Sequence, residues 1–265
     1  MKDPFSYKRI PPSRIATFDT FSVGLLRHHI SALLDFDVTE SQLILQNLKK
    51  NGAHLSFNAW LIKAISNALE KHPEATAYLY SKKKLIIFNN INVALVVEKM
   101  IGNQLVPIPL VIEQANQKSI QEITKEIEAA KNQDLTNKDI VINRRTTFSE
   151  KLYYFLPGFL RQFIWKMMLR NPKFIFKKMG NVSITSVGMI GKVNGWFIHK
   201  AVHPVSFGIG SIIQKPVVLN HEIKIREILN MTVLIDHDII DGAPMVRLLN
   251  DLTKEIETGE LLKSI

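Results

Sequence analysis

The chain has 265 residues, of which 46% are hydrophobic and 22% are charged, and it contains no cysteine. This length and composition predict one packed globular domain rather than a disordered or fibrous protein. The lack of cysteine excludes disulfides, thiolate metal sites and a cysteine nucleophile. No stretch approaches the roughly 18 apolar residues that span a bilayer, and no apolar signal segment opens the chain, so we expect a cytoplasmic protein.

The formal net charge of +10 favours anionic partners such as a phosphorylated cofactor, a membrane surface or nucleic acid. Most of this excess is concentrated in one place. The segment from Phe148 to Gly180 holds seven basic residues and one acid among many aromatic and aliphatic side chains. We call residues 148–180 the basic aromatic block.

The N-terminal part of the chain predicts an extended arm, a strand and a helix. Three prolines and no hydrophobic period between Met1 and Phe21 predict the arm. From His29 to Thr39 apolar residues recur at every second position, which is the period of a half-buried strand. Ser56 can cap a helix that ends at His72-Pro73.

The rest of the chain predicts mainly strands. Ser119 to Glu122 forms a capping box for a helix to about Lys131, and a last helix runs from Ala243 to Thr258. Gly102-Asn103 predicts a turn, and Gly259 ends the last helix. The predicted strands are Leu85–Phe88, Ile91–Glu98, Leu105–Ile112, Val182–Val187, Val205–Ile213, Pro216–Leu219 and Leu229–Asp236. Because strands and helices do not alternate regularly, we expect a layered α+β domain.

The nonapeptide from Ile235 to Ala243 is the sharpest local motif. His237 follows an apolar strand, Asp241 comes four residues later, and Gly242 stands beside it. An oriented imidazole can take a proton from a thiol or hydroxyl near neutral pH, while a carboxylate organises the loop. The alternative is a simple turn in which Asp241 caps the last helix and His237 is a core histidine.

Several segments match one known family in the same order along the chain. The nonapeptide resembles an Asp-His-Arg-x-x-Asp-Gly motif, and Asn181 to Gly191 is similar to a Thr-Ile-Ser-Asn-Leu-Gly strand and turn. Further matches lie in Leu61 to Pro73, Ile91 to Ile120 and Val205 to Val218. Over most of residues 14 to 258 the chain resembles the catalytic domain of the 2-oxo acid dehydrogenase acyltransferases, such as dihydrolipoamide acyltransferase.

This resemblance implies a fold, an activity and an assembly. The fold is that of chloramphenicol acetyltransferase, an α+β two-layer mixed sheet with helices that forms trimers. The activity is acyl transfer between a thiol carrier, coenzyme A or dihydrolipoamide, and an acceptor, with coenzyme A as a substrate and no metal. In this family the site lies between subunits, so we expect a homotrimer and an inactive monomer.

The resemblance also implies roles for single residues. It makes His237 the general base that deprotonates the thiol, and Thr185 or Ser186 the hydroxyl donor to the tetrahedral oxyanion. These are the two needs of acyl transfer. It makes Asp241 a structural residue held in an ion pair, for which we expect Arg14 as the partner. The residues it places near the substrate are Gly188, Gly242 and Asp238.

Three features depart from the family. Asp238 stands where the family usually has arginine, and we expect this reversed charge either to raise the pKa of His237 or to weaken binding of the anionic coenzyme A. We recognise no lipoyl domain, subunit-binding domain or linker, so the acyl donor is expected on a lipoyl-bearing partner chain or as a small molecule. The basic aromatic block is longer and more apolar than the family's segment at that place.

The basic aromatic block predicts two or three short helices divided by prolines. In the middle one, apolar residues recur at helical spacing: Phe159, Leu160, Phe163, Ile164, Met167 and Met168. Packing against the body or a neighbouring subunit is the favoured interpretation, and a cover over an acyl pocket and an interfacial membrane helix are the alternatives. Nucleic acid is disfavoured, because the basic residues alternate with bulky aliphatic ones. A different hypothesis for the whole chain is a catalytically silent trimeric module that docks on a membrane or protein complex through this block.

We expect structural roles for the remaining histidines. His28 and His29 precede a strand and lack acidic companions in the sequence, and His199 and His203 lie around a predicted loop. A metal site built from these two with His221 is conceivable, but no carboxylate spacing supports it. We therefore expect no metal.

Overall fold

The computed structural model describes residues 4–8, 10, 13–101, 104–132, 153–187, 191 and 193–265. The predicted turn at Gly102-Asn103 and the predicted substrate contact Gly188 lie outside these residues. Within the described ranges, no helix is both long enough and apolar enough to cross a bilayer.

Six of the described strands form one mixed sheet in the order β1-β8-β7-β6-β4-β5. Strands β7, β6 and β4 are parallel to one another, and the remaining neighbours are antiparallel. Strands β2 and β3 form a separate hairpin. The strands are β1 His29–Asp37, β2 Tyr78–Ser81, β3 Lys84–Ile86, β4 Val93–Ile101, β5 Gln104–Ile112, β6 Val182–Ser186, β7 Val205–Leu219 and β8 Glu222–Asp236.

Helices cover one face of this sheet. The described helices are α1 Ser13–Gly24, α2 Thr39–Lys50, α3 Phe57–Glu70, α4 Ile120–Asn132, α5 Gly158–Leu169, α6 Pro172–Met179, α7 Gly242–Thr258 and α8 Glu260–Lys263, with a 3₁₀ turn at Pro73–Thr76. The predicted caps at Ser56 and Ser119 and the predicted helix end at Gly259 are confirmed. The Ser56 hydroxyl accepts from the Ala59 amide, and Ser119 and Glu122 bond reciprocally at the start of α4. Gly259 ends α7 at a φ of 61°.

The core lies between the helices and the sheet. On β8 the side chains of Leu229, Met231, Val233 and Ile235 all belong to the buried core, together with Trp60 of α3. Strand alternation places Thr232 and Asp236 on the opposite face, where they are also buried. The segment of residues 193–204 lies over that face, because a Cβ at Gly208 would come within 2.9 Å of the His199 ring. The expected two-layer α+β architecture is confirmed.

The prediction of an extended arm from Met1 to Phe21 is wrong from Ser13 onward, because Ser13–Gly24 is a helix. Prolines are compatible with the residues just before a helix, and no proline or glycine interrupts the chain from Ser13 to Val23. The helix is also held by a distant contact, since the Asp19 carboxylate accepts hydrogen bonds from Arg161 and Tyr153. Because its partners are distant in the chain, the local sequence pattern does not predict this contact.

Strands β7 and β8 are longer than the sequence predicts. Two strands were expected around Pro216, and one continuous strand is found, in which Pro216 pairs with Ile225 of β8. Strand β6 pairs with β7 only as far as Ile209. Beyond that point β8 is the one described strand that pairs with β7, and proline is tolerated in such an edge region of a sheet.

Candidate active site

The loop after β8 carries His237. The His237 amide donates to the His28 carbonyl at 3.0 Å, and the Ile239 amide donates to the Asp236 carbonyl at 3.1 Å. These bonds fix the backbone where the strand turns toward α7. The His237 side chain is exposed in the single chain, so its imidazole is available to a substrate or to a second copy.

A buried ion pair at the end of β8 supports this loop. Arg27 donates to the Asp236 carboxylate at 2.9 Å, and the two side chains are 15% and 0% exposed. The Arg27 guanidinium also lies over the Tyr78 ring. Asp236 in turn accepts from the Asp238 amide at 3.2 Å. The strand end and the first residues after it are therefore fixed by one buried carboxylate.

The expected ion pair between Arg14 and Asp241 is not found among the described residues of one chain, and it stays a prediction for the assembled protein. Both residues are exposed, and Asp241 precedes α7 at the N-cap position without a side-chain cap bond. The pair that the fold makes is Arg27 with Asp236, because Asp236 points into the sheet's buried second face whereas Asp241 has left it. Spacing alone does not distinguish two aspartates five residues apart.

Asp238 has a partner that the sequence analysis missed. Both of its carboxylate oxygens lie within 3.0 Å of the His28 Nδ1 atom. The expectation that His28 lacks an acidic companion is therefore wrong, because the companion comes from a distant part of the chain. This pair is exposed, so the negative charge of Asp238 faces solvent next to His237 in the chain.

Thr185 and Ser186 are neighbours on β6 and point to opposite faces of the sheet. Ile184, two residues before Ser186, belongs to the core under the helices, and Ser186 itself lines a pocket on that side. Ser183, two residues before Thr185, bonds Ser206 on the other face at 2.6 Å. The two candidate oxyanion donors therefore face different sides of the sheet, Ser186 toward the helices and Thr185 toward the opposite face.

The pocket beside Ser186 is mainly apolar and has charge at its edge. It lies between the ends of β4 and β6 and the helices α3 and α4, and its described lining includes Leu61, Leu95, Val97, Ile127, Ile184 and Ile209. Glu98 and Lys131 are the charged residues of the lining. None of the described lining residues comes from the basic aromatic block, which leaves the idea of an acyl-pocket cover without support within one chain.

The sheet register separates His237 from both hydroxyl candidates. Ser186 lies beside Ile209 of β7, and Ile209 pairs with Met231 of β8. His237 follows Met231 by six residues, which is about 20 Å along a strand at about 3.3 Å per residue. Thr185 is only one residue closer. One chain therefore does not bring its histidine and its β6 hydroxyls to the same substrate atom.

His199 and His203 belong to the 193–204 segment, where His203 is buried and His199 is half-buried. The His203 Nε2 atom donates to the Met179 carbonyl at 2.9 Å, and burial lowers the pKa of His203 to about 4. The His199 Nε2 atom lies 2.6 Å from the Ser206 hydroxyl, and burial lowers its pKa to about 4 as well. Sequence reasoning missed this chain of contacts from Ser183 through Ser206 to His199. No group of three possible metal-ligating side chains occurs among the described residues.

Comparison with solved structures defines the class of the fold. A probable dihydrolipoamide acetyltransferase from Listeria monocytogenes superposes with a TM-score of 0.68 at 22% identity, covering 96% of this chain and 95% of that chain. Chloramphenicol acetyltransferase superposes with a TM-score of 0.50 at 8% identity, covering 97% of this chain and 100% of that chain. The chain thus has the chloramphenicol acetyltransferase-like fold.

The sequence then gives the family. A family model described as 2-oxoacid dehydrogenases acyltransferase (catalytic domain) matches residues 27–141 and 177–263, and the chain belongs to this family. The dihydrolipoyllysine-residue acetyltransferase component of the pyruvate dehydrogenase complex of Mycoplasma genitalium is 28% identical over 211 residues, which are 79% of this chain and 45% of that protein. The corresponding component of Staphylococcus epidermidis is 26% identical over 244 residues, 88% of this chain and 47% of that protein. The chain spans about half the length of these curated relatives.

Proposed function

We propose that this chain transfers an acyl group between a thiol carrier and an acceptor, with coenzyme A and dihydrolipoamide as the two thiols. His237 is the general base. A β6 hydroxyl, from Thr185 or Ser186, stabilises the oxyanion. The observation that carries this proposal is an exposed His237, held by a buried ion pair at the end of β8 in a chain of the acyltransferase family.

In the proposed reaction, His237 carries one proton from the attacking thiol to the leaving thiol. A neutral imidazole nitrogen of His237 takes the proton from the coenzyme A thiol, and the thiolate sulfur forms a bond to the carbonyl carbon of an acyl-dihydrolipoamide thioester. The negative charge on the tetrahedral oxygen is met by a hydroxyl donor. The intermediate then expels the lipoyl sulfur, which takes the proton back from the His237 imidazolium.

The site is proposed to form between copies of the chain, in a homotrimer. The separation of about 20 Å between His237 and the β6 hydroxyls along the sheet requires that two copies supply them. A solved Azotobacter vinelandii dihydrolipoamide acetyltransferase has been studied for the catalytic roles of a serine, a histidine and an asparagine, with the last two four residues apart. His237 and Asp241 have the same separation here.

The substrates are proposed to reach the site from its two sides. The apolar pocket beside Ser186 suits an acyl or lipoyl chain, because such pockets bury aliphatic groups with few polar contacts. The acyl donor is proposed to be carried by a lipoyl-bearing partner chain or to be a free thioester. No step of the reaction uses a metal.

The test is acyl transfer by the purified protein, with acyl-CoA thioesters from acetyl to palmitoyl and dihydrolipoamide as acceptor. Release of free coenzyme A reports turnover. His237→Ala is expected to lower kcat by about 10²–10⁴-fold, the range typical for loss of a general base. His221→Ala, at the exposed turn between β7 and β8, is the matched control and is expected to leave kcat unchanged.

Two results would overturn this assignment. Turnover that persists in folded His237→Ala would remove the histidine from the mechanism. Silence of the wild-type protein with every donor, while it remains folded and assembled, would favour the catalytically silent docking module.

A further inference from the structure

Helix α5 presents an apolar surface that the described chain leaves uncovered. Eight of its twelve residues are apolar, and none of the twelve is buried. Phe155, Phe159, Phe163 and Met167 follow one another at intervals of four, and they are 86%, 76%, 61% and 57% exposed. Residues three or four apart share a helix face, so within α5 these side chains form one stripe, which Phe155 extends toward its start.

The same stripe carries positive charge. Lys166 lies three residues after Phe163 and seven after Phe159, and Arg170 lies three residues after Met167, so both cations share the apolar face. Lys173, Lys177 and Lys178 follow on α6, and all five are exposed. None of the five makes an ion pair with a described residue, and residues 153–180 contain no acid.

This surface is held rigidly on the body of the protein. The Asp19 carboxylate of α1 pairs with Arg161 at 2.7 Å and accepts from the Tyr153 hydroxyl at 2.6 Å. On α6, Ile175 is fully buried, and Phe176 stacks on Phe88 with the ring centroids 3.9 Å apart. The exposed side of α5 is therefore presented by a structure already packed on its inner side, which limits the entropy lost on docking.

We propose that this face, formed by Phe155, α5 and α6, docks the protein on an anionic lipid surface. Exposed phenylalanine and methionine flanked by lysine and arginine match the composition of helices that lie in the membrane interface. A two-fold contact of this face with itself is disfavoured, because it would bring five cations against the same five. Helix α5 lies in residues 142–176, which separate the two parts of the chain that match the acyltransferase family. The proposed membrane docking is therefore independent of the proposed catalysis.

The test is flotation of the full chain with vesicles of phosphatidylcholine alone and of phosphatidylcholine with 30% phosphatidylglycerol. At low salt the protein is expected to float with the anionic vesicles only, and to be released as salt rises. The double charge reversal K166E/R170E is expected to lower the vesicle partition coefficient by about thirty-fold or more, because each basic residue near an anionic surface contributes about 1 kcal/mol to binding. F159S/F163S is expected to abolish flotation.

Helix α2 offers the matched control. Lys49 and Lys50 are exposed basic residues at the C-terminal end of that helix, and Leu43 is an exposed apolar residue on it. K49E/K50E and L43S are expected to bind vesicles as the wild type does. The proposal is overturned if the wild type fails to float at low salt, or if the control variants lose binding as strongly as the α5 variants. It is also overturned if light scattering shows that K166E/R170E changes the oligomeric state while vesicle binding is unchanged.

Discussion

The two aspartates beside His237 do different physical work. Asp236 is fully buried and paired with Arg27, whereas Asp238 is exposed and contacts His28. A buried carboxylate that loses its only cation must be neutralised or left uncompensated, while an exposed one is solvated by water. Asp236 therefore supports the shape of the loop, and Asp238 adds a negative charge to the loop's exposed surface.

Arg27→Met is expected to lower the free energy of unfolding by about 3–5 kcal/mol, because it leaves Asp236 buried without its cation. Urea denaturation measures this loss. Arg14→Met is the control, since Arg14 is exposed and makes no ion pair with the described residues; it is expected to cost less than about 0.5 kcal/mol. Equal losses in the two variants would show that the buried pair does not hold the loop.

Asp238→Arg is expected to lower the KM for coenzyme A about five-fold at low ionic strength, if the proposed reaction is correct. The change adds two units of positive charge beside an anionic substrate, at about 0.5 kcal/mol per exposed pair. The gain is expected to disappear in high salt, because the charges are exposed and screened. Steady-state kinetics at two salt concentrations measures it, and a gain that persists in high salt would contradict the electrostatic explanation.

Local spacing after an apolar strand made His237 a candidate, and the resemblance to the acyltransferase family made it the proposed base. The sequence failed to predict the partners Arg27 with Asp236 and His28 with Asp238, which are about 210 residues apart in the chain. Local pattern contains no information on which of several aspartates a distant arginine reaches. The separation of Thr185 and Ser186 onto two faces follows from strand alternation alone, and was available from the sequence once the strand was accepted.

At the scale of elements, caps and hydrophobic periodicity predicted the helices whose ends depend on neighbouring residues. Helices α3, α4 and α7 begin and end close to the predicted residues, because their ends depend on neighbouring residues: side-chain caps start α3 and α4, and Gly259 ends α7. Helix α1 and the long hairpin of β7 and β8 were missed, because both depend on distant partners. The Asp19 contact with Arg161 holds the first, and the cross-strand ladder around Pro216 holds the second.

The segment of residues 193–204 is expected to make stability depend on pH. Burial keeps His203 neutral in the folded protein, with a pKa of about 4 against about 6.5 when unfolded. Between these values the unfolded chain binds the extra proton, so stability is lost as the pH falls from 6.5 toward 4. From pH 6.5 to 4.5 this histidine accounts for a loss of about 2 kcal/mol.

His203→Gln tests this account. Glutamine can still donate to the Met179 carbonyl but does not titrate, so the fall in stability between pH 6.5 and 4.5 is expected to be smaller by about 2 kcal/mol than in the wild type. Thermal or urea unfolding at the two pH values measures the difference. The neighbours Arg27 and His29 add their charges equally in both proteins. Identical pH dependence of the two proteins would contradict the assignment.

At the scale of the whole molecule, the single chain keeps the His237 loop and the Ser186 pocket far apart. The exposed His237 loop closes one end of β8, and the Ser186 pocket opens some 20 Å away along the sheet, by the register of its strands. A sheet is too stiff to fold these ends together, and each strand is hydrogen-bonded to its neighbours. Under the proposed function, a cyclic trimer brings the two regions together, because each copy offers one of them to the next.

Mixing two inactive variants tests this arrangement directly. His237→Ala lacks the base and a β6 variant, Thr185→Val with Ser186→Ala, lacks the hydroxyls, so each is expected to be inactive alone. In trimers formed after denaturing and refolding equal amounts of the two, a site works only if its histidine comes from the β6 variant and its hydroxyl from the His237 variant. Random assembly gives both in about one quarter of the sites, and about one quarter of the wild-type rate is expected. Refolded wild-type protein gives the reference rate, and the two variants refolded separately and then combined give the background. A rate no higher than that background, from trimers shown to be mixed by mass, would mean that each chain completes its own site.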